Sequence, residues 1–285
     1  MTAKRKGKGA SVKGMTSHLL AQLFPELAKH MSLSGIEIYR CYDEFGPIRV
    51  FEDGCQRYLA FSEDSQQSAI DLSHPARPVF HYIQAMLLSL LYLPSPQKVT
   101  LLGLGGGSLV QALRKYDQNL LIEVVELRQQ VHAVAQTYFE LPDDPLIQVH
   151  FADAAEYMSS TRLSDTQAQT DLIFIDIYSD DGMNEIQISL PFLEHCFRYL
   201  SASGMLIFNL WDQGKGSHPK AKQALGEVFE GNVIACPVED GNLIVFAFKG
   251  GMPQINQRHL QPLARRLTKK LDFPVSERLR ELKPL

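Results

Sequence analysis

Four of the five residues in Gly103-Leu104-Gly105-Gly106-Gly107 are glycine, and they stand between an apolar run, Val99 to Leu102, and a helix-forming stretch, Ser108 to Tyr116. Glycine there lets the backbone turn tightly out of a buried strand, and lets a ligand come close to the first turn of the helix that follows. A plain strand-to-helix turn would use the same residues, so the loop signifies binding only in the right surroundings.

Those surroundings are present. Strand patterns at Leu120 to Val125, Ile147 to Phe151, Leu172 to Ile175 and Met205 to Leu210 alternate with helical ones at Gln129 to Phe139, Ala154 to Ser159, Leu190 to Leu200 and Lys220 to Phe229. Two late strands follow at Asn232 to Ala235 and Asn242 to Phe248. Repeated βα units with apolar strands predict an α/β, Rossmann-like domain whose mostly parallel sheet is covered on both faces. Ahead of it, Ile36 to Tyr39, Ile48 to Phe51 and Tyr58 to Phe61 are short β-rich runs, separated by Gly46-Pro47 and by the hairpin dipeptide Asp53-Gly54. They predict a small antiparallel β lobe. Val79 to Leu93 predicts a single buried helix ended by Pro94 and Pro96. The expected organisation is a basic tail over 1–15, a β lobe with a leading helix over 16–78 and the Rossmann-like domain over 79–285.

Acids fall at the ends of successive strands. Glu126 closes the second strand 21 residues after Gly105, Asp153 follows the third and Asp176 the fourth. In an open parallel sheet these ends share the edge beside the ligand crevice, where a carboxylate such as Glu126 can accept both hydroxyls of a ribose. A nicotinamide-binding domain accounts for Gly103, Gly105, Gly107 and Glu126 but gives no reason for the other two acids. An adenosine-sulfonium site does, using the third-strand acid for the adenine amino group and the fourth-strand acid beside the reacting centre. Taken singly, Asp153 or Asp176 would serve equally well as a helix or turn cap.

From about Ile36 to the C-terminus the chain resembles the spermidine synthase family of aminopropyltransferases, a branch of the class I S-adenosylmethionine-dependent transferase fold. The likeness rests on Gly46, Asp53-Gly54, an aromatic-histidine pair at Phe80-His81 or His81-Tyr82, and the acids Glu126, Asp153 and Asp176. It implies S-adenosylmethionine or its decarboxylated form as co-substrate, bound through Gly103, Gly105, Gly107, Glu126 and Asp153. It also implies Asp176 as the catalytic acid and no metal. The family loop G-G-G-D-G-G carries an aspartate for the donor's ammonium, and Gly106 stands in its place. Around the catalytic acid, the family's D-S-S-D-P becomes Asp176-Ile177-Tyr178-Ser179-Asp180.

In aminopropyl transfer an amine attacks the carbon next to a sulfonium and methylthioadenosine leaves. The amine is protonated at neutral pH, so a carboxylate at the reacting end must attract it and accept or relay its proton, which is the role expected of Asp176. Asp180 or Asp181 would hold a distal ammonium, or form a polar turn before Gly182. His81 and Tyr82 would line the substrate mouth or pack, and Trp211 would wall the pocket or pack. Three other functions fit the same residues: a methyltransferase, favoured by Gly106, a non-catalytic nucleoside or polyamine-binding protein, and a nicotinamide oxidoreductase.

Composition narrows the partners. In 285 residues, 28 basic and 32 acidic side chains give a net charge of −4, which argues against a globally basic nucleic-acid binder. Five of the basic residues, Lys4, Arg5, Lys6, Lys8 and Lys13, lie in the tail. The rest of the chain is therefore more acidic than the total suggests, and a small cationic amine is the expected partner. The longest apolar run, Ala85 to Leu93, is about half the ~20 residues a membrane span needs. The four cysteines, Cys41, Cys55, Cys196 and Cys236, show neither metal-ligand nor disulfide spacing, so the expected setting is the cytoplasm. The β lobe would either seal a homodimer, as in the resembled family, or act as a lid.

Overall fold

A computed structural model describes residues 35–62, 66–160, 169–179, 182–183, 185–211, 218–239, 241–253 and 257–285. The tail, the leading helix and the Asp180-Asp181 pair lie outside the described residues.

The chain begins with four antiparallel strands in sequential order, β1 (Ile36–Asp43), β2 (Gly46–Asp53), β3 (Gln56–Ala60) and β4 (Gln66–Asp71). The Asp53-Gly54 turn joins β2 to β3, as its residues predict, with Gly54 at φ +60°. One face of this sheet, with Ile48, Val50, Leu59, Phe61 and Ile70, packs on Val131, Val134 and Phe139 of the next domain. The lobe is thus seated by apolar burial rather than tethered by a linker.

A helical stretch follows, but not as one helix. It is split into α1 (His81–Met86) and α2 (Ser89–Tyr92). Leu88 N–H donates to Ala85 O and Leu91 N–H to Leu88 O, i to i−3 bonds that tighten the turn. Leu87 and Leu88, adjacent in sequence, are both fully buried, which a helix with one apolar stripe would not allow.

The main domain runs β5 (Lys98–Leu102), α3 (Ser108–Tyr116), β6 (Leu121–Glu126), α4 (Gln129–Tyr138), β7 (Ile147–Phe151), α5 (Ala154–Ser159) and β8 (Thr170–Ile175). Two short strands, β9 (Tyr178–Ser179) and β10 (Gly182–Met183), and a 3₁₀ turn (Glu185–Ile188) lead to α6 (Leu190–Tyr199) and β11 (Leu200–Trp211). Then come α7 (Pro219–Val228), β12 (Val233–Pro237), β13 (Asn242–Phe248), α8 (Gln257–Leu271), α9 (Val275–Leu279) and β14 (Lys283–Pro284).

The large sheet has the order β14-β12-β13-β11-β8-β5-β6-β7. β7, β6, β5, β8 and β11 run parallel, and β13 inserts antiparallel between β11 and β12. Alternate residues serve opposite faces, Leu172 and Phe174 in one core and Ile173 and Ile175 in the other. The chain winds from β5 outward to β7, then returns to β8 on the other side of β5. The order therefore reverses between β5 and β8, and a crevice opens at their carboxyl ends.

Candidate active site

At that reversal the glycine loop and Asp176 touch. Gly103 has φ +100°, and a Cβ on it would lie 2.3 Å from the Asp176 carbonyl oxygen. Only glycine lets the end of β5 lie this close to the end of β8. Asp176 N–H donates to Leu102 O at 2.9 Å and Gly103 N–H to Val125 O at 2.9 Å, so three strand ends are locked together.

Glu126, at the end of β6, is buried and braces the loop. Its Oε2 accepts from Leu104 N–H and its Oε1 from Arg128 N–H, each at 2.9 Å. Burial raises its pKa, against the lowering effect of these bonds. Asp153 is a helix cap that also stands at the cavity. Its Oδ1 caps α5, accepting from Ala155 N–H at 2.8 Å and Glu156 N–H at 3.0 Å, and the residue lines the same cavity as Glu126.

Asp176 is not a helix cap; two-residue β9 begins just beyond it. Its Oδ1 accepts from Asn209 Nδ2 at 2.8 Å, and Tyr82 lies near enough to lower the carboxyl pKa. The Tyr82 hydroxyl donates to Gln67 O at 3.3 Å. Burial raises the Asp176 pKa, opposed by the Asn209 bond and by Tyr82. Tyr178, whose hydroxyl donates to Asn209 O at 3.1 Å, is pushed up by burial and by the Asp176 charge.

These groups line one cavity of about 990 Å³. The small lobe supplies part of its wall, Phe45, Phe61 and Gln66 to Ser68, and half-exposed Trp211 also lines it. The lining carries Glu126, Asp153, Asp176 and Glu185, with Arg128 the one Lys or Arg among the described lining residues. The Arg128 guanidinium is held by Asp43 at 2.8 and 3.0 Å and lies over the Phe61 ring at 4.6 Å. The walls therefore favour a cation. Among the described residues, no group of three or more His, Cys, Asp or Glu could hold a metal ion.

The structure does not bring every expected residue here. His81 is not among the lining residues; its Nδ1 faces Glu239 Oε2 at 3.5 Å. Gly107, at φ +77°, is the N-cap of α3 and packs under Leu141 rather than lining the cavity. Asp180 lies outside the described residues. Conversely, Asn209, Gln187 and Arg128 were not anticipated. The signal for Asn209 was present, since an amide inside the apolar strand Met205 to Leu210 must be buried with a partner.

No family model matches the chain. A polyamine aminopropyltransferase of Neisseria meningitidis is 32% identical over 234 residues, 80% of this chain and 87% of the relative. An eEF1A lysine and N-terminal methyltransferase of Xenopus laevis is 30% identical over 205 residues, 67% of this chain but 29% of the relative. Among solved structures, a probable spermidine synthase from Corynebacterium glutamicum superposes with TM-score 0.68 at 20% identity, covering 83% of this chain and 88% of that one. A spermidine synthase in complex with the transition state analogue AdoDATO superposes with TM-score 0.59 at 18% identity, covering the same shares.

Proposed function

Because this chain belongs to the polyamine aminopropyltransferase family, we propose that it moves the aminopropyl group of decarboxylated S-adenosylmethionine onto an amine of a polyamine chain, with Asp176 as proton acceptor. The observation that supports this most is the Asp176 carboxyl itself. It is half-buried, oriented by Asn209, raised in pKa by desolvation, and set on the cavity that also holds the glycine loop and Glu126.

In this reading Glu126 and Asp153 face the nucleoside and the loop backbone lies along it. The incoming ammonium gives one proton to Asp176, which a raised pKa makes a better acceptor. The freed nitrogen lone pair then bonds to the carbon beside the sulfonium as the C–S pair withdraws to sulfur. Neutral methylthioadenosine leaves, the product nitrogen keeps its positive charge, and Asp176 returns its proton to solvent. Holding nitrogen, carbon and sulfur in line can supply up to about 7 to 11 kcal/mol, so positioning dominates. Asn209 serves this by holding the carboxyl through its Oδ1. The reaction is set in the cytoplasm, in keeping with four cysteines whose spacing suggests neither a disulfide framework nor a metal site.

Methyl transfer from intact S-adenosylmethionine is the second reading, favoured by Gly106, which offers no carboxylate to a donor ammonium, and by the likeness to the Xenopus methyltransferase. One assay decides. The protein is given diamines with either donor and the nucleoside product is identified by mass spectrometry. Methylthioadenosine with a new triamine upholds the proposal, whereas S-adenosylhomocysteine with a methylated amine replaces it with the second reading.

A further inference from the structure

Helix α8 contains five Lys or Arg and no Asp or Glu, in a chain whose net charge is −4. Helical periodicity sorts its residues onto two sides. Leu260, Ala264, Leu267 and Leu271 are buried in the core. Opposite them, Arg258, Arg265 and Lys269 stand in one row and His259, Arg266 and Lys270 in the row beside it, all exposed. Among the described residues, Arg265, Arg266 and Lys269 make no ion pair or side-chain hydrogen bond. The next acid along the chain, Asp272, faces Arg77 Nη1 at 3.8 Å. A solvated helix gains from carboxylates four residues from its cations, whereas Arg265 and Lys269, and Arg266 and Lys270, set like charges at that spacing, where they repel. The helix dipole accounts for Lys269 and Lys270 in the last turn, but not for Arg258 in the first, where a cation meets the positive end. An anionic partner removes both conflicts.

We propose that this face of α8 docks the phosphate backbone of a nucleic-acid duplex, without regard to sequence. From Arg258 to Lys270 the helix axis runs about 18 Å, a length over which duplex DNA presents about ten phosphate charges. A membrane surface is the poorer fit. The apolar side of α8 is already in the core, and the helix exposes no Leu, Phe or Trp to enter the acyl boundary. A single strand also fits less well, because α8 carries no Phe, Tyr or Trp for bases to stack on, and the neighbouring Tyr116 ring lies under Lys270 Nζ at 4.7 Å. The six residues of the two rows are outside the cavity lining, so docking here and chemistry there are separable. The overall negative charge is no obstacle, since phosphate contacts are made by the local field of one face.

The test is fluorescence anisotropy of the full chain with a short labelled DNA duplex of arbitrary sequence, between about 50 and 200 mM salt. Three to five phosphate contacts should give a slope of log affinity on log salt of about −3 to −4.5, which is an affinity loss of about 40- to 500-fold over that range. The combined variant Arg265→Gln, Arg266→Gln, Lys269→Gln should flatten the slope by about 3 and weaken binding at the lowest salt by at least about 10-fold, without lowering Tm. A second variant, with Lys4, Arg5, Lys6, Lys8 and Lys13 of the tail changed to Gln, should keep the slope within about 1 of wild type. No binding at about 50 mM salt, a slope unaltered in the α8 variant, or a slope that falls only in the tail variant overturns the proposal. Vesicles of anionic phosphatidylglycerol that bind more tightly than the duplex through the same α8 residues overturn it in favour of a membrane surface.

Discussion

Arg128 and Asp43 make the contact whose loss should be felt most widely. Their side chains are each 8% exposed and meet through two N–H···O bonds of 2.8 and 3.0 Å, joining the β lobe to the segment after β6. On a surface such a pair would contribute about 0 to 1 kcal/mol. Buried, it falls under a different rule, because removing one partner strands the other charge in a desolvated place at about 3 to 5 kcal/mol. Arg128→Met should therefore unfold at a temperature lower by about 6 to 20 °C, taking about 2 to 4 °C per kcal/mol. Asp43→Asn should lose less, since the guanidinium still donates to Gly46 O at 3.0 Å and keeps its stacking on Phe61. The double variant leaves no stranded charge, so it should fall short of the sum of the single losses by at least about 2 kcal/mol. Urea unfolding of the four proteins measures this cycle. Single losses that add within about 0.5 kcal/mol would refute the argument, by showing that water already screens the pair.

Other outcomes follow from the same geometry. Asp176→Asn should lower kcat about 10²- to 10⁴-fold while sparing nucleoside binding, measured by calorimetry; full activity would remove Asp176 from the mechanism. The same variant should be more stable than wild type at neutral pH by about 0.5 to 2 kcal/mol. Burial raises the folded-state pKa of Asp176, so what it contributes to stability is present below its unfolded pKa and is lost as pH rises through the folded value. The Tm gap between the proteins should accordingly widen from acid to neutral pH, and a constant gap would contradict the burial argument. Wild-type kcat/KM should fall as the medium is acidified through that raised pKa. Gly103→Ala, which forces a Cβ to 2.3 Å from Asp176 O and strains a left-handed φ, should lose both activity and stability. An unchanged protein would mean that the loop and the β8 end are not locked together.

Much of this was legible in the chain because the relevant signals are local. Apolar strands alternating with amphipathic helices give the sheet, and acids at the ends of three successive strands give Glu126, Asp153 and Asp176. The Asp-Gly turn places the β2–β3 hairpin. What was not legible is long-range or locally ambiguous. β4 starts with two glutamines and reads as loop until it pairs with β3. α8 contains Pro262 and was not anticipated, yet its apolar positions Leu260, Ala264, Leu267 and Leu271 are buried. β11 begins at Leu200 rather than Met205, through Ser201 to Gly204, with an irregular register against β8 that has no signature in the residues. Arg128 meets a carboxylate 85 positions away, which no spacing rule reveals.

The departure at Gly106 takes on a physical meaning once the lobe is in place. A Cβ there would come within 2.9 Å of Phe139 Cδ1 and 2.9 Å of Ser68 Oγ, so the space beside the loop is filled from β4 and from the end of α4. Ser68 Oγ lies 3.3 Å from Ser108 Oγ, and Ser108 Oγ donates to Ala69 O at 2.8 Å, which presses the lobe onto the first turn of α3. Where the resembled pattern has a side chain reaching from the loop, this chain has the lobe reaching down to it. The Asp43–Arg128 pair and the Arg128 N–H bond to Glu126 continue the same contact to the next strand end. Lobe seating and loop geometry are thus one mechanical unit. The lobe's displacement would disturb the wall at Ser68, the brace at Glu126 and, through Gly103, the carboxylate at Asp176 together.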